Sequence, residues 1–375
     1  MENSAILFVS SAEVMGCIVM AFVFLALPLP TGKGIIKYRV SLQFLAGAYL
    51  LLALLKIYIL VFNIKFINLI SIESLIISAL QAILFTFALI TLINPQLITL
   101  RYLYKKITPL IILLLISLCA SKWWGNPVIT TFSLLNELIW HPTVLAREII
   151  LVYYVYLLFV LTNEFRTQEK KYQHEINNYF SDNSTLQLTW VKYCFYAALT
   201  IGLIALLSFL IVSEVFSVIL DGLFTLFYLL FGIFYIQYPR TFVYIEPAII
   251  STGNPIIEFP KNIKRNNWGE LKNQIINEKY FLITGVNIAD MALHLKIGRT
   301  LLSTMINNEE KVNFNSWINF LRIEEAKKIL TENPNLSLSQ IAEMIGYTES
   351  SNFSRQFKLI TNQTPFVWKQ ENLKN

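Results

Sequence analysis

Apolar residues run in blocks of membrane length through the first 238 positions, and at helical spacing after about position 268. The first block, at 5–27, reads AILFVSSAEVMGCIVMAFVFLAL; it lacks a basic leader and is too long for a signal peptide. Further blocks lie near 40–62, 69–93, 107–124, 143–162, 191–213 and 217–238. About twenty apolar residues cross a bilayer as a helix, so the pattern predicts seven spans. Pro239, Pro247, Gly253, Pro255 and Pro260 then recur too closely for a long helix and predict an irregular linker over 239–267. Helical periodicity resumes through Leu271, Ile275 and Leu282, a stretch expected to pack on the first of the two-helix units that follow, with dimerisation the lesser alternative.

The pattern is sharpest over Leu336–Lys358. Ser337 and Gln340 make a capping box, Ile341, Ala342 and Ile345 share one face, and Gly346 ends the helix. Thr348 is placed to cap a second helix, with Phe353, Phe357 and Ile360 inside. Glu349, Ser350, Ser351, Asn352, Arg355 and Lys358 lie outside. Two short helices with a polar, partly basic outer face suit a major groove. An earlier stretch repeats the plan: Asn287 caps Ile288–His294, a turn covers Leu295–Gly298, and Arg299–Asn307 forms a second helix. Between them, Phe314–Leu330 is predicted as a long helix with Trp317, Phe320, Leu321, Ala326 and Leu330 on one face.

The segment from Ile275 to Lys369 resembles the DNA-binding domain of AraC/XylS-family transcription regulators. The resemblance rests on Leu321–Ala326, Ile341-Ala342, Gly346-Tyr347, Phe353–Lys358 and Thr364-Pro365. It implies two helix-turn-helix units bridged by one helix. It also implies groove-facing residues: Arg299, Thr300, Ser303 and Thr304 in the first unit, and Ser350, Ser351, Asn352 and Arg355 in the second. Lys358 suits a phosphate. The first unit departs from the family pattern, with Thr304 where arginine is common, Asn307 where lysine is, and Gly298 where a serine cap is usual.

Composition sharpens the division. Hydrophobic residues are 55% of the chain and charged residues 14%, a balance unlike a water-soluble protein. The net charge of +6 divides evenly about position 238, so DNA binding is read from motif and placement rather than global charge. Lysine and arginine mark the odd connections: Lys33, Lys37 and Arg39; Arg101, Lys105 and Lys106; Arg166, Lys170 and Lys171. That predicts a multi-pass protein of the cytoplasmic membrane with its N-terminus outside and its C-terminus, after seven crossings, inside.

Glu13, Lys56 and Glu73 fall at membrane depth, with Glu214 and Asp221 near the outer surface. Lys56 and Glu73 would match in depth on antiparallel neighbours, making a buried ion pair or part of a sensor; a purely structural pair or snorkelling is the plainer reading. Trp123, Trp124, Trp140 and His141 read as an interfacial aromatic belt, or as one side of an outward ligand site. The stretch from Asn163 to Trp190, beginning EFRTQEKKYQHEI, extends the fifth span as a solvated charged helix; nothing in the sequence supports its contact with the tail. Cys17, Cys119 and Cys194 sit in apolar runs without metal-ligand spacing and read as packing residues. His294, between Leu293 and Leu295, reads as a helix-surface residue, and no nucleophile–base set or phosphate-binding loop points to an enzyme, a cofactor or a metal.

The expectation is therefore an all-α chain: a seven-helix transmembrane bundle at 1–238, a linker at 239–267 and an AraC-type double helix-turn-helix domain at 268–375. Its partners would be double-stranded promoter DNA, the lipid bilayer, RNA polymerase and a second copy of the chain, under a signal of unknown identity. The alternative is a membrane receptor or transporter whose helical tail binds a protein.

Overall fold

The computed structural model describes residues 2–29, 35–61, 71–94, 96–182, 188–208, 214–238, 245, 248 and 268–372. Among the described residues the chain is helical throughout, with one isolated antiparallel bridge between Phe180 and Asn287. It divides into two compact units: 1–170 with 188–250, and 171–187 with 251–375.

The first unit holds α1 (Glu2–Ala26), α2 (Ile35–Val61), α3 (Ile72–Ile93), α4 (Leu100–Trp124), α5 (Phe132–Glu137), most of α6 (Pro142–Tyr179), α7 (Thr189–Ser208) and α8 (Glu214–Ile236). Among the described residues, five helices are long and apolar enough to cross a membrane: α1, α2, α3, α4 and α6. The other two expected spans correspond to α7 and α8, whose apolar stretches among the described residues are Thr189–Ile204 and Gly222–Ile236. Polar caps set the helix starts, with Ser71 accepting from Ser74, Thr99 from Tyr102 and Thr131 from Leu134. α2 packs against both α1 and α3, and α1 against α8. Buried tyrosines close this core by donating to helix carbonyls: Tyr49 to Tyr228 at 2.6 Å and Tyr235 to Ala88 at 3.1 Å. The outward surface stays apolar, with Phe8, Phe22, Leu115, Val152 and Phe159 exposed.

Two sequence expectations change here. Lys56 pairs with Glu13 across α1 and α2, Nζ to carboxylate 3.1 Å, rather than with Glu73. Glu73 lies exposed in the first turn of α3, where its charge acts on Arg147. Matching depth along the chain overlooked that α1 already lines α2, so the lysine reaches a nearer carboxylate. Cys119 is exposed on the outward face of α4, not packed, while Cys17 is buried. The linker at 239–267 and the side chains of Glu214 and Asp221 lie outside the described residues, apart from Ile245 and Ala248.

The second unit contains α9 (Trp268–Asn277), α10 (Ile288–His294), α11 (Arg299–Met305), α12 (Phe314–Glu332), α13 (Leu338–Met344), α14 (Ser350–Thr361) and α15 (Pro365–Asn372). α12 bridges the two helix pairs and is buried on more than one side: Trp317, Ile318, Asn319, Arg322, Ile323, Ala326 and Leu330 are all inside. Phe320, expected in its apolar face, is 49% exposed. A single-stripe helical pattern fails for a helix that serves two cores at once. The stretch before Leu282 packs on the bridging helix: Trp268 lies against Trp317 with ring centroids 5.3 Å apart and the rings tilted by 50°, and its indole donates to Glu310, just past the first pair, at 2.8 Å. Lys272 joins the same carboxylate.

Candidate nucleic-acid interface

The two helix pairs are built by the same local rules. Asn287 caps α10 by accepting from Ala289 and Asp290 at 2.9 and 3.0 Å. Ser337 caps α13 in a full capping box with Gln340. Each first helix closes with a left-handed residue, Lys296 at φ 56° and Gly346 at φ 84°. The amide of the next residue then returns to the helix, from Ile297 to Ala292 and from Tyr347 to Ala342, both at 2.9 Å.

The second helix of each pair presents the candidate groove face. In α14, Phe353 and Phe357 are fully buried, with Ile360 packed on the same cluster. Ser350, Ser351, Arg355 and Lys358 are exposed, as their spacing requires. Two details differ from the sequence reading. Glu349, not Thr348, takes the cap position of α14, without a side-chain cap bond. Asn352 is only 6% exposed, since its amide donates to Asp182 at 2.9 Å and accepts from Arg355 at 2.8 Å.

In α11, Thr300 is exposed and Arg299, Ser303 and Thr304 are half-buried. Thr304 donates back to the Thr300 carbonyl at 2.8 Å, and the Arg299 guanidinium sits 5.5 Å from the Tyr179 ring centre. Gly298 occupies the cap position and offers no side chain to it.

Buried polar groups anchor the second pair, and the segment that leads into the first, to α12. Arg322 is fully buried, donating from Nε to Phe281 O at 2.8 Å and from Nη2 to Ile283 O at 2.9 Å. Its guanidinium lies 5.2 Å from the centre of the Tyr347 ring, whose hydroxyl donates to Asn319. Burial pulls the Arg322 guanidinium below its ordinary range and pushes the Tyr347 phenol above it. At the surface, the hydrogen bond with His294, ahead of one from Gln274, holds Glu278 below the ordinary carboxylate range. His294 thus has a structural partner and also stacks on Tyr280 at 4.2 Å.

The sequence reading missed a further set of residues in this unit, Tyr172 to Asp182. Tyr172, Ile176, Tyr179, Phe180 and Ser181 are buried, so this end of the charged stretch is not a solvated helix. Asn315 donates to the carbonyls of Phe180 and Ser181, at 3.1 and 2.8 Å, and Asn319 to that of Ser181 at 3.1 Å. Ser181 in turn donates to Val286. The signal was present: Phe165, Tyr172, Ile176 and Tyr179 recur at helical spacing through the charges.

The family model described as "Helix-turn-helix domain" matches residues 291–371. Over 87 residues the chain is 31% identical to the raffinose operon transcriptional regulatory protein RafR of Pediococcus pentosaceus, covering 23% of this chain and 31% of that protein. Over 98 residues it is 28% identical to the Msm operon regulatory protein of Streptococcus mutans, covering 26% and 34%. Over 86 residues it is 24% identical to the regulatory protein PocR of Salmonella typhimurium, covering 23% and 28%. The chain thus spans about a third of the length of the curated relatives it matches. No solved structure matches it.

Proposed function

From an AraC-type helix-turn-helix domain toward the C-terminus of a chain with five membrane-length apolar helices among its described residues, we propose a membrane-embedded, one-component transcription regulator. The observation that carries this reading is the joining, in one chain, of the matched domain to helices whose outward residues are apolar. The apolar unit at 1–238 crosses the cytoplasmic membrane and receives a signal in or across it. The unit from 268 onward binds double-stranded promoter DNA through Arg299, Thr300, Ser303, Thr304, Ser350, Ser351, Asn352, Arg355 and Lys358. RNA polymerase and a second copy of the chain are its further partners. The buried Lys56–Glu13 pair, together with Glu73, whose charge acts on Arg147, belongs to the sensing part: charges kept at membrane depth are expensive and generally functional.

Reporter fusions together with mapping of chromosomal sites test the reading. Fusions after Lys106 and Asn375 should report cytoplasmic, and one after Trp124 external. Crosslinked intact protein should enrich discrete promoter regions. An external Asn375, or binding without any preferred site, would leave a helical tail that binds protein as the better account.

A further inference from the structure

Tyr179–Asp182 touches both candidate reading helices of the second unit. Asp182 accepts from the Asn352 amide at 2.9 Å, and Asn352 in turn accepts from Arg355 at 2.8 Å. The carboxylate therefore stands at the first turn of α14, linked through one side chain to the arginine best placed to read a base. Tyr179 lies under the Arg299 guanidinium at 5.5 Å, in the first turn of α11. A helix N-terminus with its free amides and positive dipole end is where a DNA phosphate would bind, and a carboxylate meets the same electrostatic demand.

We propose that Tyr179–Asp182 is an intramolecular latch that competes with DNA for Asn352, Arg355 and Arg299. This rests on the DNA-binding reading above and adds its regulation. The latch is held by bonds that leave the groove face alone: the Phe180–Asn287 bridge, Ser181 to Val286, and Asn315 and Asn319 to the Phe180 and Ser181 carbonyls. Asn287 is also the cap of α10, so the latch meets both helix pairs at residues that set their geometry. It is the direct continuation of α6, which starts at Pro142 within the apolar unit. A change in α6 therefore has a covalent route to the reading helices, and latch release is the step a signal would control.

The test uses the full chain in detergent, with a duplex taken from its mapped chromosomal sites and a random duplex as reference. Asp182→Ala removes the competing carboxylate. Where the latch is mostly closed, apparent affinity rises by the factor lost from latch stability, about fivefold for one net hydrogen bond. The pair Phe180→Cys with Asn287→Cys locks the latch. Partners across an antiparallel bridge lie about 4.5–5.5 Å apart between Cα atoms, within the range a disulfide spans. Oxidation of that variant should abolish preference for the mapped duplex, and reduction should restore it, so each sample is its own folding control. The latch is overturned if the wild-type chain selects its duplex but Asp182→Ala binds no tighter, or if the oxidised chain still selects it. The segment would then be a fixed part of the domain. Absence of selection in every form, reduced and oxidised, instead overturns the DNA reading on which the latch depends.

Discussion

The two helix pairs of the second unit run in register, offset by 50 residues from Asn287 to Ser337 in their first helices and by 51 from Leu302 to Phe353 in their second. Asn287 and Ser337 cap, Ala292 and Ala342 pack, and Lys296 and Gly346 take the left-handed turn. Leu302 and Phe353, then Ile306 and Phe357, fill the cores beneath the second helices. On the outer face the likeness ends. Thr304 stands where α14 has Arg355, and Asn307 where it has Lys358. Thr304 turns its hydroxyl back onto its own helix, while Arg355 is exposed. A shared scaffold thus leaves recognition to a few outer positions. Under the proposed DNA-binding reading, the second pair would read and grip DNA and the first would set register.

The turns give the largest expected effect. A Cβ on Gly346 would meet the Leu282 carbonyl oxygen at 2.3 Å and the Arg322 guanidinium at 3.0 Å, at φ +84°. Gly346→Ala should therefore destabilise the chain by about 3 kcal/mol or more, combining left-handed strain of about 1–2 kcal/mol with a forced backbone shift. Lys296→Ala, at the same turn position in the first pair, already has a side chain there and should change stability by less than about 0.5 kcal/mol. Thermal unfolding of both variants in detergent compares them. Equal losses would mean that the two turns bear the same constraint and the register argument fails.

The outer faces give the next effect. Arg355→Ala should cost about 1–3 kcal/mol on a specific duplex and much less on a random one, if its guanidinium reads a base edge. Thr304→Ala should change either by less than about 0.5 kcal/mol. Lys358→Ala should weaken both duplexes alike and make the salt slope shallower by about one unit. Titrations at several salt concentrations separate these outcomes, and a Thr304 effect as large as that of Arg355 would erase the division of labour.

Much of this plan was legible in the sequence, because caps, glycine turns and apolar spacing are local. Asn287, Ser337, Gln340, Gly346, Phe353 and Phe357 all stand where their residue types demand. What escaped was set by distant partners. Asn319 and Arg322 lie outside the apolar face read for this helix, yet they are buried because carbonyls of Phe281, Ile283 and Ser181 come to meet them. Asn352 read as a free outer residue until Asp182, 170 positions away, covered it. Lys56 found Glu13 rather than Glu73 for the same reason: helix neighbours, not chain spacing, choose ion-pair partners.

The smallest effect tests whether the first pair is weak by design of its cap or only of its outer face. Gly298 has φ −71° and ψ 137°, the extended conformation a cap residue needs, and an added Cβ would meet nothing within 4 Å. Serine there needs no backbone change and can accept from an amide of the first turn of α11. Gly298→Ser should therefore stabilise the chain by a few tenths of a kcal/mol, about the margin by which serine exceeds glycine as a cap. Because Thr300, Ser303 and Thr304 would keep their places, DNA affinity should rise little. A clear gain in affinity would show that α11 contacts DNA strongly once its first turn is ordered, placing the deficit in the cap. Stability that rises with affinity unchanged places it at Thr304 and Asn307, where the side chains differ from those of the second pair.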